Sequence, residues 1–300
     1  MPGGCWYAEN GYLGLLNYIA DFGKRKENRT GIDTISTFGQ MIKFNLRQDG
    51  FPLITSKNVN FDHIKKELLF FLSGSSNTKE LEEQGVNIWK PNTSREFLDG
   101  RGLTEYKEGD YGPAYGVQWR NWNGTFGITN LKDGIDQFSL LLKGLMDNPN
   151  GRRHIVSAWN PAQIDAMALP PCHIMYQFDI TDNTLNLQIY QRSCDMFLGV
   201  PYNLASYGLL LEMVCFWLNE HQEHWIEPGE LTWVGGDCHI YENHLDQVGL
   251  QTSRMNSLFK LPFVTINNNK EYPTFFDIGA DDIQLQGYDH YAAIRAPMAV

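Results

Sequence analysis

Residues 203–219 constrain the fold most, because their side chains are apolar around the whole helix circumference rather than along one stripe. Such a helix is stable only when other elements cover most of its surface. Strands are indicated directly before it, and helices occur earlier and later in the chain without a regular alternation of strand and helix. This pattern predicts an α+β single domain rather than a doubly wound parallel sheet.

Apolar periodicity predicts the other elements. Helical spacing indicates helices over residues 12–22, 61–73 and 134–146, and Gly23 and Gly74 follow the first two as stop signals. Alternating apolar residues or short apolar runs indicate strands over residues 37–46, 154–159, 173–180 and 184–192. A more polar helix is predicted over residues 239–253. Residues 90–112 have little periodicity and many turn-forming residues, so we expect a long surface excursion there.

Composition and charge exclude several protein classes. The 300 residues include eight tryptophans and 13% aromatic side chains, which supply enough core-forming area to exclude global disorder. No apolar run is long enough to span a bilayer, and the N-terminal residues lack the pattern of a secretory signal. The net charge of −11 argues against broad electrostatic binding of nucleic acid. We therefore expect a soluble globular protein without a membrane partner.

The cysteines indicate a reducing compartment. There are five of them, an odd number, and no two form a CxxC pair. This pattern disfavours a disulfide framework and a four-thiolate zinc site. We expect free thiols and a cytoplasmic location.

A cysteine that follows two prolines is the first candidate for chemistry. Cys172 follows Pro170 and Pro171, whose fixed φ angles can hold a side chain at a defined angle. Arg192, in the next predicted strand, would lower the pKa of this thiol and stabilise an attacking thiolate if the two strands are neighbours. The alternatives are an inert buried cysteine and an arginine in a surface ion pair. Asn203 could cap the buried helix or read a donor–acceptor edge with its amide.

Two segments carry a specific resemblance, namely ALPPCHI at residues 168–174 and QRSCDMFLGVPYNLASY at residues 191–207. They closely resemble the folate-dependent thymidylate synthase family. Further matching blocks, in the family's order, are NRTG at 28–31, FPLITSK at 51–57, ELL at 67–69, NIW at 87–89, GPAYGVQWR at 112–120, RR at 152–153, SAWN at 157–160, GGDCHIY at 235–241 and AV at 299–300. The resemblance implies a mixed β-sheet flanked by helices. It also implies a catalytic domain over residues 27–300, preceded by an N-terminal extension and first helix over residues 1–26.

The resemblance implies a reductive methylation of deoxyuridine monophosphate (dUMP). In this family a cysteine at the place of Cys172 adds to C6 of dUMP and makes C5 a carbon nucleophile. That carbon attacks the methylene group of 5,10-methylenetetrahydrofolate. Proton loss, folate elimination and hydride transfer then give thymidine monophosphate (dTMP) and dihydrofolate. The folate is both carbon donor and reductant, so no metal is required.

The resemblance also assigns roles to individual residues of this chain. The catalytic set that it implies is Cys172, Glu67, Tyr115, Arg192 and Asn203. The dUMP-binding set is Arg29, Arg152, Arg153, His173, Gln191, Arg192, Ser193, Asp195, Asn203, His239 and Tyr241. The folate-binding set is Trp89, Asn92, Asp195 and Val300. Arg152 and Arg153 are expected to reach the phosphate in the other subunit of a homodimer, although a solvated turn is their alternative interpretation.

Some positions depart from the family pattern, and two other functions stay open. Lys90 stands where an aspartate is frequent, Phe70 where a tryptophan is frequent, and residues 289–292 where a proline-histidine-proline run is usual. The nearest alternative function is a dUMP hydroxymethylase of the same superfamily, in which water rather than hydride captures the intermediate. Asn203 favours uracil over cytosine. Trp89 and the Ala299-Val300 end favour methyl formation, because both would shield the intermediate from water. The other alternative is a catalytically silent protein that binds a nucleotide or RNA, but the interleaved basic and aromatic stripe of a dedicated binder is missing.

Overall fold

The computed structural model describes residues 5–126 and 133–298. Its helices are α1 (Ala8–Phe22), α2 (Phe61–Ser73), α3 (Lys79–Glu83), α4 (Arg95–Gly100), α5 (Tyr115–Asn121), α6 (Gln137–Asp147), α7 (Gly199–His221) and α8 (Leu245–Thr252). Its strands are β1 (Cys5–Tyr7), β2 (Lys24–Lys26), β3 (Thr34–Asn45), β4 (Ile155–Ser157), β5 (His173–Thr181), β6 (Thr184–Asp195), β7 (Glu227–Tyr241), β8 (Phe263–Ile266) and β9 (Ile283–Gln286). None of these helices is long and apolar enough to cross a membrane.

One mixed sheet organises the described residues. Its strand order is β1-β3-β7-β6-β5-β4, with β2 paired to β3, while β8 and β9 form a separate small sheet. The pairs β1–β3 and β6–β7 are parallel, whereas β3–β7, β5–β6 and β4–β5 are antiparallel. Helices α1 and α7 pack on this sheet, and α2 packs on α7. The prediction of an α+β single domain with a mixed sheet flanked by helices is confirmed.

Helix α7 is the central element that the sequence predicted. Most of its residues are buried, and it packs on β6, β7 and α2. It begins at Gly199 rather than at Asn203, because Pro201 is tolerated in the first helical turn. Asn203 therefore lies inside the helix, and the interpretation of this residue as an N-cap is wrong.

The other predicted helices have the expected positions, and the ends of all but α2 are shifted. Helix α2 has the predicted bounds, with the Asn60 side chain accepting a hydrogen bond from the backbone of His63 and Gly74 in the left-handed conformation at φ 75°. Helix α1 begins four residues earlier than predicted, and its buried side chains belong to the same core as those of the sheet. The division of the chain between residues 26 and 27 stays a prediction.

The structure differs from the sequence analysis most clearly at β7. This strand was not predicted, and residues 239–241, assigned to a helix, form its last three positions. Two features conceal the strand. Its Pro228 and the glycines at 229, 235 and 236 are residues typical of loops, and a strand buried on both faces lacks the alternation of polar and apolar residues. Residues 90–112 are also less exposed than expected, because they contain α4 and the fully buried Leu98 and Tyr111.

Candidate active site

Cys172 lies directly before β5 and is fixed by two backbone hydrogen bonds. Its N–H donates to the hydroxyl oxygen of Tyr115 at 2.8 Å, and its carbonyl accepts from the N–H of Arg192 at 2.8 Å. Strands β5 and β6 are antiparallel neighbours, with His173 opposite Gln191. The two strands are therefore neighbours, as the predicted effect of Arg192 on the Cys172 thiol requires.

The guanidinium of Arg192 is held by the two prolines before the cysteine. Its Nε donates to the carbonyl of Pro171 and its Nη2 to the carbonyl of Pro170, both at 2.9 Å. Burial raises the pKa of the Cys172 thiol, while the charge of Arg192, a hydrogen bond from Tyr115 and the charge of Arg29 act in the opposite direction. The net pKa is above the ordinary value, so the expected lowering is not found. Arg192 lowers the pKa as predicted, but burial has the larger effect.

Tyr115 begins α5 in an unusual backbone conformation. Its φ of 27° lies in the left-handed region, which a residue with a bulky side chain seldom adopts. The ring stacks on Phe71 with centroids 4.9 Å apart and lies 4.4 Å from the ring of His173. This packing positions the Tyr115 hydroxyl at Cys172.

Glu67 projects from α2 beside Trp89. Its Oε1 accepts a hydrogen bond of 2.8 Å from the indole Nε1 of Trp89. Burial raises the pKa of Glu67 to about 7, and the bond from Trp89 opposes this shift. A carboxyl group with a pKa near neutrality can take up and release a proton at physiological pH.

His173 and Gln191 both form side-chain hydrogen bonds within the protein. Nδ1 of His173 lies 2.7 Å from the Tyr207 hydroxyl, and burial lowers the pKa of this imidazole to about 3. Nε2 of Gln191 donates to Oδ1 of Asn203 at 3.0 Å, and its Oε1 accepts from the indole Nε1 of Trp233 at 2.9 Å. Both side chains are buried.

The adjacent ends of β6 and β7 bring further predicted residues together. Asp195 is opposite His239 in the parallel register. Oδ1 of Asp195 accepts from the N–H groups of Phe197 and Leu198 at 3.0 and 3.1 Å. The ring of Tyr241 packs edge-on against His239 with centroids 5.3 Å apart.

Three polar residues near the site were not singled out by the sequence analysis. Oδ1 of Asp237 lies 3.1 Å from Nδ1 of His239, and Lys26 forms an ion pair with the same carboxylate. These contacts lower the pKa of Asp237 to about 2, with the bond to His239 having the largest effect. Lys57 is buried over the ring of Phe197, and desolvation lowers its pKa to about 7. The spacing of Asp237 and His239 could have indicated this contact, because residues two apart in a strand share a face, but the strand itself was not predicted.

The arginines fall into two groups. The charges of Arg192 and Arg29 both act on the Cys172 thiol, and Arg29 lies in an exposed turn that Asn28 stabilises. Arg152 and Arg153 are exposed next to the edge strand β4. Within the described residues, neither of them forms an ion pair or a hydrogen bond with another predicted site residue.

The predicted folate residues are only partly covered by the described chain. Trp89 packs against Tyr115 with centroids 5.6 Å apart, and the half-buried Asn92 donates its N–H to the carbonyl of Trp89 at 3.0 Å. Val300 lies outside the described residues, as does Ala299. Residues 289–292, which depart from the family pattern, lie against the FPLITSK segment through a bond from the N–H of Tyr291 to the carbonyl of Thr55 at 2.9 Å.

The side chains of the site are of the kinds that perform covalent and proton-transfer chemistry. The site combines a half-buried thiol, a guanidinium that favours its anion, and a carboxyl group that titrates near neutrality. The described residues contain no group of three or more histidine, cysteine, aspartate or glutamate side chains that could hold a metal ion. A comparison with protein-family models finds a match to the family described as thymidylate synthase, over residues 10–300.

Proposed function

The chain belongs to the thymidylate synthase family, whose members are methyltransferase-type enzymes of nucleotide biosynthesis, and we propose from this premise that it converts dUMP to dTMP. The one-carbon donor in this family is 5,10-methylenetetrahydrofolate, and the second product would be dihydrofolate. The observation that carries the proposal is the position of Cys172: the Tyr115 hydroxyl and the N–H of Arg192 hold its backbone, and the charge of Arg192 favours its thiolate.

Cys172 acts as the nucleophile in this proposal. Its sulfur bonds to C6 of the uracil, which leaves C5 as the carbon that attacks the donor, and the same bond breaks when the product leaves. The thiol must lose its proton first, and the raised pKa means that this costs free energy in the free protein. The charges of Arg192 and Arg29 reduce this cost, because they stabilise the thiolate as it forms.

Glu67 and Tyr115 handle protons in this proposal. The pKa of Glu67, about 7, suits a group that exchanges protons with the base or the folate. Burial raises the pKa of Tyr115 well above its ordinary value, so this hydroxyl stays neutral. It supports removal of the C5 proton by orienting water rather than by ionising.

Nucleotide binding is divided among the two strand ends and α7. Arg29, Arg192 and Ser193 offer the charge and donors that a phosphate requires. Asn203 would pair with the uracil edge, and His239 with Tyr241 would bind the ribose hydroxyl. Gln191 would support this set by orienting Asn203, to which its Nε2 donates, and His173 would lie beside it with Nδ1 paired to the Tyr207 hydroxyl.

The donor set also suits a folate. Trp89 offers an aromatic surface beside the thiol's neighbour Tyr115, and Oδ2 of Asp195 has no hydrogen-bond partner among the described residues. Such a carboxylate oxygen can accept from the amino group of a pterin. The bound folate would supply the one-carbon unit and the hydride.

We propose a homodimer in which Arg152 and Arg153 complete the partner's phosphate site. Both are exposed at the edge of the sheet and have no ion-pair partner in the described part of their own chain. A two-fold interface delivers each pair to the other subunit by the same contact. The cytoplasmic location stays a prediction.

The experiment that tests the function identifies the products. Incubation with dUMP and methylenetetrahydrofolate, followed by mass spectrometry, should give dTMP and dihydrofolate, and Cys172→Ala should give neither. Hydroxymethyl-dUMP with tetrahydrofolate would instead establish the hydroxymethylase. Nucleotide binding without any product would favour the silent binding protein.

A further inference from the structure

Three side chains connect the core to the base-binding end of the site. The indole Nε1 of Trp233 donates to Gln191 at 2.9 Å, and Nε2 of Gln191 donates to Oδ1 of Asn203 at 3.0 Å. Trp233 and Gln191 are buried, whereas Asn203 is half-buried. Within the described residues, no group accepts a hydrogen bond from Nδ2 of Asn203. Asn203, the last side chain of this hydrogen-bonded series, therefore has an amide donor available next to the substrate site.

Trp233 determines the direction of these hydrogen bonds, because an indole nitrogen donates and cannot accept. Gln191 must turn its Oε1 to the indole, which turns its Nε2 to Asn203 and to the carbonyl of Ser193 at 3.0 Å. In the opposite flip of Gln191, two donors would face each other at Trp233, and acceptors would face each other at Asn203 and Ser193. Buried groups left unpaired in this way are costly.

The backbone of β7 makes room for the indole. Gly235 is opposite Gln191 in the parallel register of β6 and β7. A Cβ atom at this glycine would lie 2.2 Å from Cη2 of Trp233. The absence of a side chain at position 235 therefore lets the indole lie across the strand and reach the amide of Gln191.

We propose that Trp233 and Gln191 are positioning residues that fix the amide flip of Asn203 and thereby set the preference for uracil over cytosine. This inference rests on the proposed function, in which Asn203 contacts the base. In the flip that the structure has, Nδ2 can donate to O4 of uracil, and the second lone pair of Oδ1 can accept from N3–H. Cytosine presents an acceptor at N3 and an amine donor at C4, so it requires the opposite flip.

The test measures the dissociation constants of dUMP and dCMP by titration calorimetry without folate. Trp233→Phe keeps an aromatic ring and removes the donor, and we expect the preference for dUMP over dCMP to fall about fivefold or more. Trp217→Phe is the matched control, because its buried Nε1 has no hydrogen-bond partner in the part of the chain that the structure describes. This control should keep the preference of the wild type.

A second variant separates positioning from a packing effect. Gln191→Met interrupts the series, so adding Trp233→Phe to it should cause no further loss of preference, whereas two packing defects would add. An unchanged preference in Trp233→Phe, or additive losses in the double variant, would overturn the positioning role while leaving the proposed function intact. A wild-type protein that binds neither nucleotide would overturn the proposed function, and this inference with it.

Discussion

The indole Nε1 of Trp89 donates a hydrogen bond of 2.8 Å to Oε1 of Glu67. The bond stabilises the charged carboxylate, whereas burial stabilises the neutral carboxyl group. Burial has the larger effect and raises the pKa of Glu67 to about 7. The protonation state of one predicted catalytic group thus depends on a residue predicted to bind folate.

Replacing Trp89 by Phe should raise the pKa of Glu67 further, because it removes the hydrogen bond that opposes the effect of burial. In the pH profile of kcat/KM, we expect the corresponding ionisation to move to higher pH by about one unit. The shape of the profile reports this shift even if the overall rate falls. Trp217→Phe should leave the profile unchanged, and a Trp89→Phe profile that superimposes on the wild type would contradict the prediction.

Glu67 should also make the stability of the protein depend on pH. Between its ordinary pKa of 4.5 and the raised value of about 7, the folded protein keeps a proton that the unfolded chain has lost. Rising pH through this window therefore lowers the free energy of unfolding, by roughly 3 kcal/mol from this residue. Glu67→Gln should remove that loss. In urea unfolding between about pH 5 and about pH 7.5, the variant should therefore gain stability relative to the wild type as the pH rises. Parallel stability curves would refute the assignment.

Cys172 should be the essential thiol. Cys172→Ala removes the atom that bonds to C6, so turnover should fall to background while dUMP binding stays measurable by calorimetry. Cys215→Ala is a suitable control, because Cys215 is a buried residue of α7 whose thiol donates a hydrogen bond to the carbonyl of Ile226. An equal loss of turnover in a folded Cys215→Ala protein would count against Cys172.

Arg152 and Arg153 should act on the partner's site. A Cys172→Ala chain and an Arg152→Ala/Arg153→Ala chain are each expected to be inactive alone. Mixed under conditions of subunit exchange, they should recover part of the activity, because a heterodimer has one site with both the thiol and the arginines. No recovery, after exchange has been verified with differently tagged chains, would assign these arginines to their own subunit.

Asn203→Asp should weaken the choice of uracil over cytosine. The substitution replaces the amide donor Nδ2 by an acceptor, so O4 of uracil loses its partner while the amine of cytosine gains one. Each unpaired buried group costs on the order of 1–3 kcal/mol, so the ratio of kcat/KM for dUMP and dCMP should change by roughly a hundredfold. If the ratio does not change, the base is selected elsewhere.

Local sequence patterns predicted the elements whose signals are complete within a short segment. Helix α2 has its own cap at Asn60 and its own stop at Gly74, and its bounds were predicted correctly. The apolar character of α7 predicted its burial, and the family match supports the resemblance that rests on the motifs at Cys172 and Arg192. Strand β7 was missed because its glycines give no local strand signal and because the elements that bury both of its faces are distant in the chain.

The sequence by itself determined the family, the α+β fold class and which side chains were candidates for chemistry, because these are properties of residue types and their spacing. Only the tertiary structure decided their electrostatic state and their orientation. Burial outweighs Arg192 at Cys172 and outweighs Trp89 at Glu67. The amide of Asn203 is oriented by Gln191 and Trp233, which lie on two other elements. Desolvation and hydrogen-bond direction depend on atoms that folding brings together from separate segments, so no local pattern encodes them.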